Sequence, residues 1–380
     1  MDFVIDDAMQ GYIDAAAEVA TQIAPAQQQR EQDRVIAPEL RRRMGELGLI
    51  APELPSTLGG RDERALTSGM IAEQIARGDL TVAYVQIISS LVGQVLVRNA
   101  RPEVAADWIP RITSGEDLVA IGLSEPGAGS DAGNPSMTAR PERDGWVLEG
   151  TKSMSFAMDA RAAVVFARTE PGRRGKGITA FLVELDRDGI RRRRAPDLGT
   201  RAVGRGYIDF SGTWIPARNQ LGELGEGFTQ VMQGFDFSRA LIGLQVIGTA
   251  QVTLEETWEY TGTRTAFDQP LSSFQGVAFP LAEAETLLAA ARLLCQRTLW
   301  LKDSGLPHTK EAAMCKWWAP KTAYDVIHQC LLSHGQNGYL TDRPIEQRLR
   351  DVLGLQIGDG TAQIMKLVIA RHTVDRELAP

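Results

Sequence analysis

The sequence predicts an α+β chain of three domains in the order helical, β, helical. Three observations predict it. Apolar residues recur at helical spacing through the first part of the chain. Glycine, proline and short β-branched runs crowd the middle. Long amphipathic stretches joined by short connections fill the remainder. A length of 380 residues suits two or three domains, each large enough for its own core.

The N-terminal helical domain spans 1–117. Ala15 to Ile23 and Ile36 to Leu49 carry apolar residues at helical spacing with charges between them. Pro52, Pro55, Gly59 and Gly60 break the pattern, and it resumes from Leu66 to Asn99. The β-domain spans 118–226. Its strand-like runs are Gly145 to Gly150, Ala162 to Ala167 and Ile178 to Val183, each bounded by turn residues. The C-terminal helical part spans 227–380, with helices expected over 231–259, 274–302, 310–332, 345–355 and 361–378.

A net charge of -7, from 41 basic and 48 acidic side chains, gives no broad attraction to nucleic acid. The acidic start MDFVIDDAMQ does not resemble a signal peptide. The apolar stretch Val82 to Val97 is expected to be too short and too polar to span a membrane. Cys295, Cys315 and Cys330 form no CxxC pair, which suits a reducing cytoplasm with neither disulfides nor zinc. His308, His328, His334 and His372 have no metal-ligand spacing, and no GxSxG elbow anchors a hydrolase triad. Gly172-Arg-Arg-Gly-Lys-Gly177 is too short for a phosphate loop and reads as a connection between strands. Arg191 to Arg194 read as a charged strand edge, with a phosphate contact as the alternative.

Gly122-Leu-Ser-Glu-Pro-Gly-Ala-Gly-Ser-Asp131 is the informative segment. Such a loop can bring backbone N–H groups and hydroxyls close to a planar or phosphorylated ligand, and by chemistry alone it can equally be an ordinary turn. The string resembles the first signature of acyl-CoA dehydrogenases, with Asn134 as a departure three places after the aspartate. Further matches run in order along the chain. They include Glu46-Leu-Gly-Leu, Gly59-Gly60, Ile215 to Gly222 and the Arg264, Phe267, Gln275 pattern with Asp268 in place of a glycine. Gly358-Asp-Gly-Thr-Ala-Gln363 is similar to the family's Y-E-G-T-x-Q.

This resemblance implies the acyl-CoA dehydrogenase fold, with a β-barrel-like middle domain and a C-terminal four-helix bundle. It implies FAD as cofactor and α,β-dehydrogenation of an acyl-CoA thioester, with hydride passing to flavin N5. Ser124, Ser130, Ser155, Phe156, Thr361, Gln363 and Gly335 would contact the FAD. Arg264, Phe267 and Gln275 would reach the FAD of a neighbouring subunit, so the chain would be at least a dimer, and a homotetramer by family habit. Ser130, Arg239, Gly358 and Gly360 would contact substrate. Met154 and Phe156 replace a tryptophan and a threonine of the family, and Leu332 and Gln336 depart from its second signature.

The base would be Asp359, standing where most members have glutamate. Ser238, before Arg239, occupies the only other position the family uses. Aspartate reaches roughly 1.5 Å less than glutamate. Gly358 replaces a tyrosine and leaves room beside the base, which suits an acyl group bulky at its α-carbon. Dehydrogenases of alicyclic thioesters such as cyclohexane-1-carboxyl-CoA are the members the chain is taken to be nearest. An electron-transfer flavoprotein would accept the electrons, with no nucleic-acid or membrane partner. The alternatives are a substrate carried on an acyl carrier protein, and a flavin-binding relative without turnover.

Overall fold

The computed structural model describes residues 5–374 and Leu378. Six helices form the first domain: α1 (Asp7–Ile23), α2 (Gln27–Asp33), α3 (Pro38–Glu46), α4 (Ala65–Gly78), α5 (Leu80–Asn99) and α6 (Pro102–Thr113). The helical pattern over 66–99 is carried by two helices, α4 and α5. Asp79 adopts an extended conformation between them and caps α5, accepting from the Thr81 N–H at 2.8 Å. Helix α5 is also longer than the sequence reading allowed. At 20 residues with mean hydropathy 1.8 it is long and apolar enough to cross a membrane, yet 89% of that window is buried inside the protein. It is the core helix of the first domain, and its apolar surface is spent on packing.

The middle domain holds β1 (Val119–Gly122), β2 (Thr138–Glu142), β3 (Gly145–Met154), β4 (Ala162–Arg168), β5 (Ile178–Glu184), β6 (Ile190–Arg194), β7 (Gly206–Pro216) and β8 (Gln220–Leu221). Pairing follows β6-β7-β3-β2-β4-β5-β8, with β1 parallel to β4. The path is open, and β6 is one of its ends. The four arginines therefore lie on an edge strand: Arg193 pairs with Asp209, and Arg192 donates to the Ala157, Met158 and Leu185 carbonyls. Residues 172–177 connect β4 to β5.

The C-terminal part contains α7 (Gly227–Thr263), α8 (Gln275–Asp303), α9 (Thr309–Ser333), α10 (Ile345–Leu355) and α11 (Ala362–Arg371). Three long helices make the body, and two short ones pack on α9. Among the described residues this part thus has the five helices that the sequence pattern led one to expect, three of them forming the body of the bundle. The helix expected to reach 378 ends at Arg371, and 375–377 lie outside the described residues. Between α7 and α8, β9 (Thr265–Ala266) and β10 (Gln269–Pro270) form a hairpin. All three cysteines are free and buried.

Domains meet through buried polar groups as well as apolar ones. Asp351, on α10, is fully buried. Its Oδ1 accepts from the Thr200 N–H of the middle domain at 2.5 Å, and its Oδ2 has no partner. Burial, and then the nearby Asp79 and Glu31, push its pKa up to about 8. The folded protein therefore keeps a proton that the unfolded chain releases near the usual carboxylate pKa. Stability from this group is complete below that lower value and is lost as pH rises to about 8. Thermal melts should show the unfolding temperature falling from pH 5 to about 8. Asp351→Asn should flatten that dependence, and an equal slope in the variant would rule Asp351 out as its source.

Candidate active site

Burial of one ion pair holds the signature loop. Lys152, on β3, is fully buried and donates to Glu125 Oε1 at 2.8 Å and to the Leu123 carbonyl at 3.0 Å. Glu125 accepts in turn from the Ser136 N–H, the Ser136 hydroxyl and the Met137 N–H at 2.7, 2.5 and 3.0 Å. Burial pushes the Glu125 carboxyl up, but Lys152 and Ser136 outweigh it and leave the pKa below the usual value. Burial pulls Lys152 down to about 8 against the pull of Glu125. The loop is pinned from beneath, and Ser124 and Ser130 stand exposed on it.

Asp359 lies in the turn between α10 and α11, in the left-handed region at φ 55°. A side chain there costs on the order of 1–3 kcal/mol and persists only where neighbours hold it. Arg239 Nε donates to the Asp359 carbonyl at 3.3 Å, and the Ser238 hydroxyl donates to Oδ2 at 3.4 Å. The residue keeps some exposure, but its carboxyl is enclosed by protein. Burial raises its pKa, opposed by Lys316, Arg239, Ser238 and Arg205. Gly360 follows at φ 104°, where a Cβ would come within 2.5 Å of Met365 Cε. At Gly358 a Cβ would meet only the Gly354 carbonyl, at 3.8 Å, so the space at this residue next to Asp359 is open.

Two expected contacts take other roles. Arg239 is 5% exposed; its guanidinium pairs with Asp236 at 3.0 Å and holds the Asp359 carbonyl. It braces the turn that carries Asp359 rather than lying open to a ligand. Phe156 is 1% exposed and sits in the hydrophobic core, 5.9 Å from the Tyr84 ring. It offers no surface to a flavin, whereas the neighbouring Ser155 keeps some exposure.

The remaining residues divide into two groups. Thr361 caps α11, accepting from the Ile364 N–H at 3.3 Å, and Gln363 is exposed in its first turn. Both adjoin Asp359. Arg264, Phe267 and Gln275 lie past the far end of α7. From Ser238 to Thr263 that helix runs roughly 38 Å at about 1.5 Å per residue. Gly335 belongs with the far group and not with Thr361. His334, just before it, stacks on Tyr260 at 4.2 Å, and Asn337 donates to the Tyr260 hydroxyl at 3.0 Å. The Arg264 guanidinium has no partner among the described residues, and Phe267 is 90% exposed on a turn at φ 51°.

Three family models match in order: the acyl-CoA dehydrogenase N-terminal domain over 11–116, its middle domain over 120–213 and its C-terminal domain over 225–374. The chain belongs to the acyl-CoA dehydrogenase family. It is an oxidoreductase acting on the CH–CH bond of an acyl-CoA thioester. It is 38% identical over 354 residues to the mitochondrial short-chain specific acyl-CoA dehydrogenase of Rattus norvegicus, covering 92% of this chain and 86% of that one. Butyryl-CoA dehydrogenase from Megasphaera elsdenii has the same fold, with TM-score 0.94, 28% identity and coverage of 97% and 98%. A structure described as the electron transferring flavoprotein of Acidaminococcus fermentans matches at TM-score 0.96 and 29% identity, covering 99% and 100%. These relatives are named for short-chain rather than alicyclic substrates, so the expected nearness to alicyclic dehydrogenases is not what the comparisons give.

Sequence reasoning missed Tyr84, Arg205 and Lys316 of this dehydrogenase. Tyr84, on α5, packs against the buried apolar residues of both the first two domains and the C-terminal helices, and feels Ser155 and the charge of Asp359. Burial, then that charge, pushes its hydroxyl up to about 12. Nothing local to α5 marks it. Lys316 had a legible signal, because it falls four residues after Ala312 and three before Ala319 on the buried face of α9.

Lys152→Met should cost about 3–5 kcal/mol in urea unfolding, because it leaves the Glu125 carboxylate buried and unpaired. A loss below about 1 kcal/mol, the range of an exposed pair, would mean that the pair does not hold the loop.

Proposed function

We propose that this chain is an FAD-dependent dehydrogenase of a short acyl-CoA thioester bulky at its α-carbon, such as cyclohexane-1-carboxyl-CoA, with Asp359 as the base. The observation that carries this reading is an enclosed carboxyl beside the open space at Gly358. A base out of water is stronger, and its raised pKa moves toward the working pH. The short-chain relatives support a compact acyl pocket. Tyr84, between Ser155 and Asp359, suits one wall of it.

The fit to FAD rests on two exposed sets of groups. Ser124, Ser130 and Ser155 offer hydroxyls on the middle domain, and the first turn of α11 offers N–H groups next to Asp359. Arg264, unpaired and exposed, suits a phosphate, because its planar fork bonds two oxygens. A helix of roughly 38 Å separates the sets, so a second copy of the chain must supply Arg264, Phe267, Gln275 and Gly335 to each site. A homotetramer would contain two such shared pairs. FAD, when held there, would supply the acceptor for the β-hydrogen, taken as hydride. Asp359 takes the α-proton, and its left-handed turn aims the short side chain. The electrons then pass to an electron-transfer flavoprotein, a partner supported by the match to a structure of that name. Three free cysteines suit a reducing cytoplasm.

The test is anaerobic mixing of the flavoprotein with cyclohexane-1-carboxyl-CoA, butyryl-CoA and octanoyl-CoA while flavin absorbance is followed. Bleaching should be fastest with the cyclic thioester; faster bleaching by butyryl-CoA would discard the ring. Gly358→Tyr, which fills the open space, should cut the cyclic rate at least about tenfold, as misplacement of reacting groups does, and leave butyryl-CoA less affected. Asp359→Asn should abolish bleaching by either, and near-normal rates would remove Asp359 as base.

A further inference from the structure

Lys316 is fully buried, on the side of α9 that faces the turn carrying the base. Its ammonium donates to the Leu355 carbonyl at 2.5 Å and to the Gly360 carbonyl at 3.3 Å. Leu355 is the last residue of α10, and Gly360 directly follows Asp359. One cation therefore ties both ends of the segment in which Asp359 sits at positive φ. The charged and titratable groups facing Asp359 are Lys316 from α9, Arg239 from α7, Arg205 from the middle domain and Tyr84 from α5. Arg239 is already matched by Asp236, which also accepts from Thr309 at 2.6 Å, and Arg205 lies 3.7 Å from Asp197. Lys316 has no carboxylate of its own within salt-bridge distance among the described residues, and Asp359 is the anion it feels most.

We propose that Lys316 is the positioning residue of the base: it clamps the 355–360 segment by its two carbonyls and supplies the buried positive charge that keeps Asp359 ionised. The proposal rests on the reading of Asp359 as base. A buried ammonium is costly unless it is hydrogen-bonded and paired. Two carbonyls supply the hydrogen bonds here, and Asp359 supplies the charge. Without the cation, the enclosed carboxyl would hold its proton to higher pH and could not accept another.

The experiment is the pH dependence of flavin reduction in the FAD-loaded protein, using whichever of cyclohexane-1-carboxyl-CoA and butyryl-CoA bleaches it faster. Lys316→Gln keeps a donor for the carbonyls and removes the charge. Its acid limb should move to higher pH, with the rate at pH 6 falling about tenfold or more and the rate above the limb falling less. Lys316→Arg, which keeps the charge, should leave the limb near its wild-type position. An unmoved limb in Lys316→Gln would overturn the proposal, since a merely structural lysine lowers all rates alike.

Should Lys316→Gln fail to fold, Lys316→Gln/Asp359→Asn decides by urea unfolding. Removing both charges should restore the fold, because neither is then left buried alone. A double variant as unstable as the single one would sink the pairing. Normal flavin reduction by Asp359→Asn alone would sink the choice of base instead. The coupling in stability between Lys316 and Asp359 is read without turnover, so the two failures are distinguishable.

Discussion

A carboxylate that must accept a proton from carbon has to leave water, and leaving water favours its neutral form. The surroundings of Asp359 answer that conflict. Burial raises its pKa, while Lys316, Arg239, Ser238 and Arg205 each pull it back. These groups come from α7, α9 and the middle domain, so the ionisation state of the proposed base depends on all of those elements being docked. The turn that holds Asp359 is strained at φ 55° and survives because its carbonyls are held by Arg239 and its flanks by Lys316.

The same principle operates at the signature loop of the middle domain. The signature loop would be mobile if only its glycines governed it. Glu125 points inward instead and takes Lys152 and the Ser136–Met137 backbone as partners. Its neighbours Ser124 and Ser130 are left outward and exposed. A fully satisfied buried network of this kind specifies one conformation, because any other would strand a charge.

Length imposes the third constraint. Helix α7 is continuous over 37 residues, and its two ends cannot serve one ligand. Ser238 and Arg239 contact Asp359, the proposed base, while the hairpin with Phe267 stands exposed beyond the far end. A turn with positive φ at both Phe267 and Asp268 holds that ring out from the surface. On the proposed reading, the fold presents half a site at each end.

Much of this was legible in the sequence, because it is local. Helical spacing, the short β runs and the glycine-rich signature depend on neighbours a few residues apart, so the helical, β, helical order could be read directly, while Asp359 was singled out by the family resemblance of its segment. The arginine run could be placed on an edge for the same reason. What pairs across the chain could not be read. Asp79 divides 66–99 into two helices because its carboxylate caps α5. Phe156 and Arg239 look like ligand contacts in their motifs, and tertiary packing buries both. Gly335 follows its helix to the Arg264 end and away from Thr361. Lys316 was visible as a cation on an apolar face, but which charge it answers was not, since 43 residues of chain separate it from Asp359. Sequence by itself determined the elements and the chemical groups they carry. Only the tertiary structure decided which of those groups share a buried space, because burial and pairing are properties of distance in three dimensions and not of order along the chain.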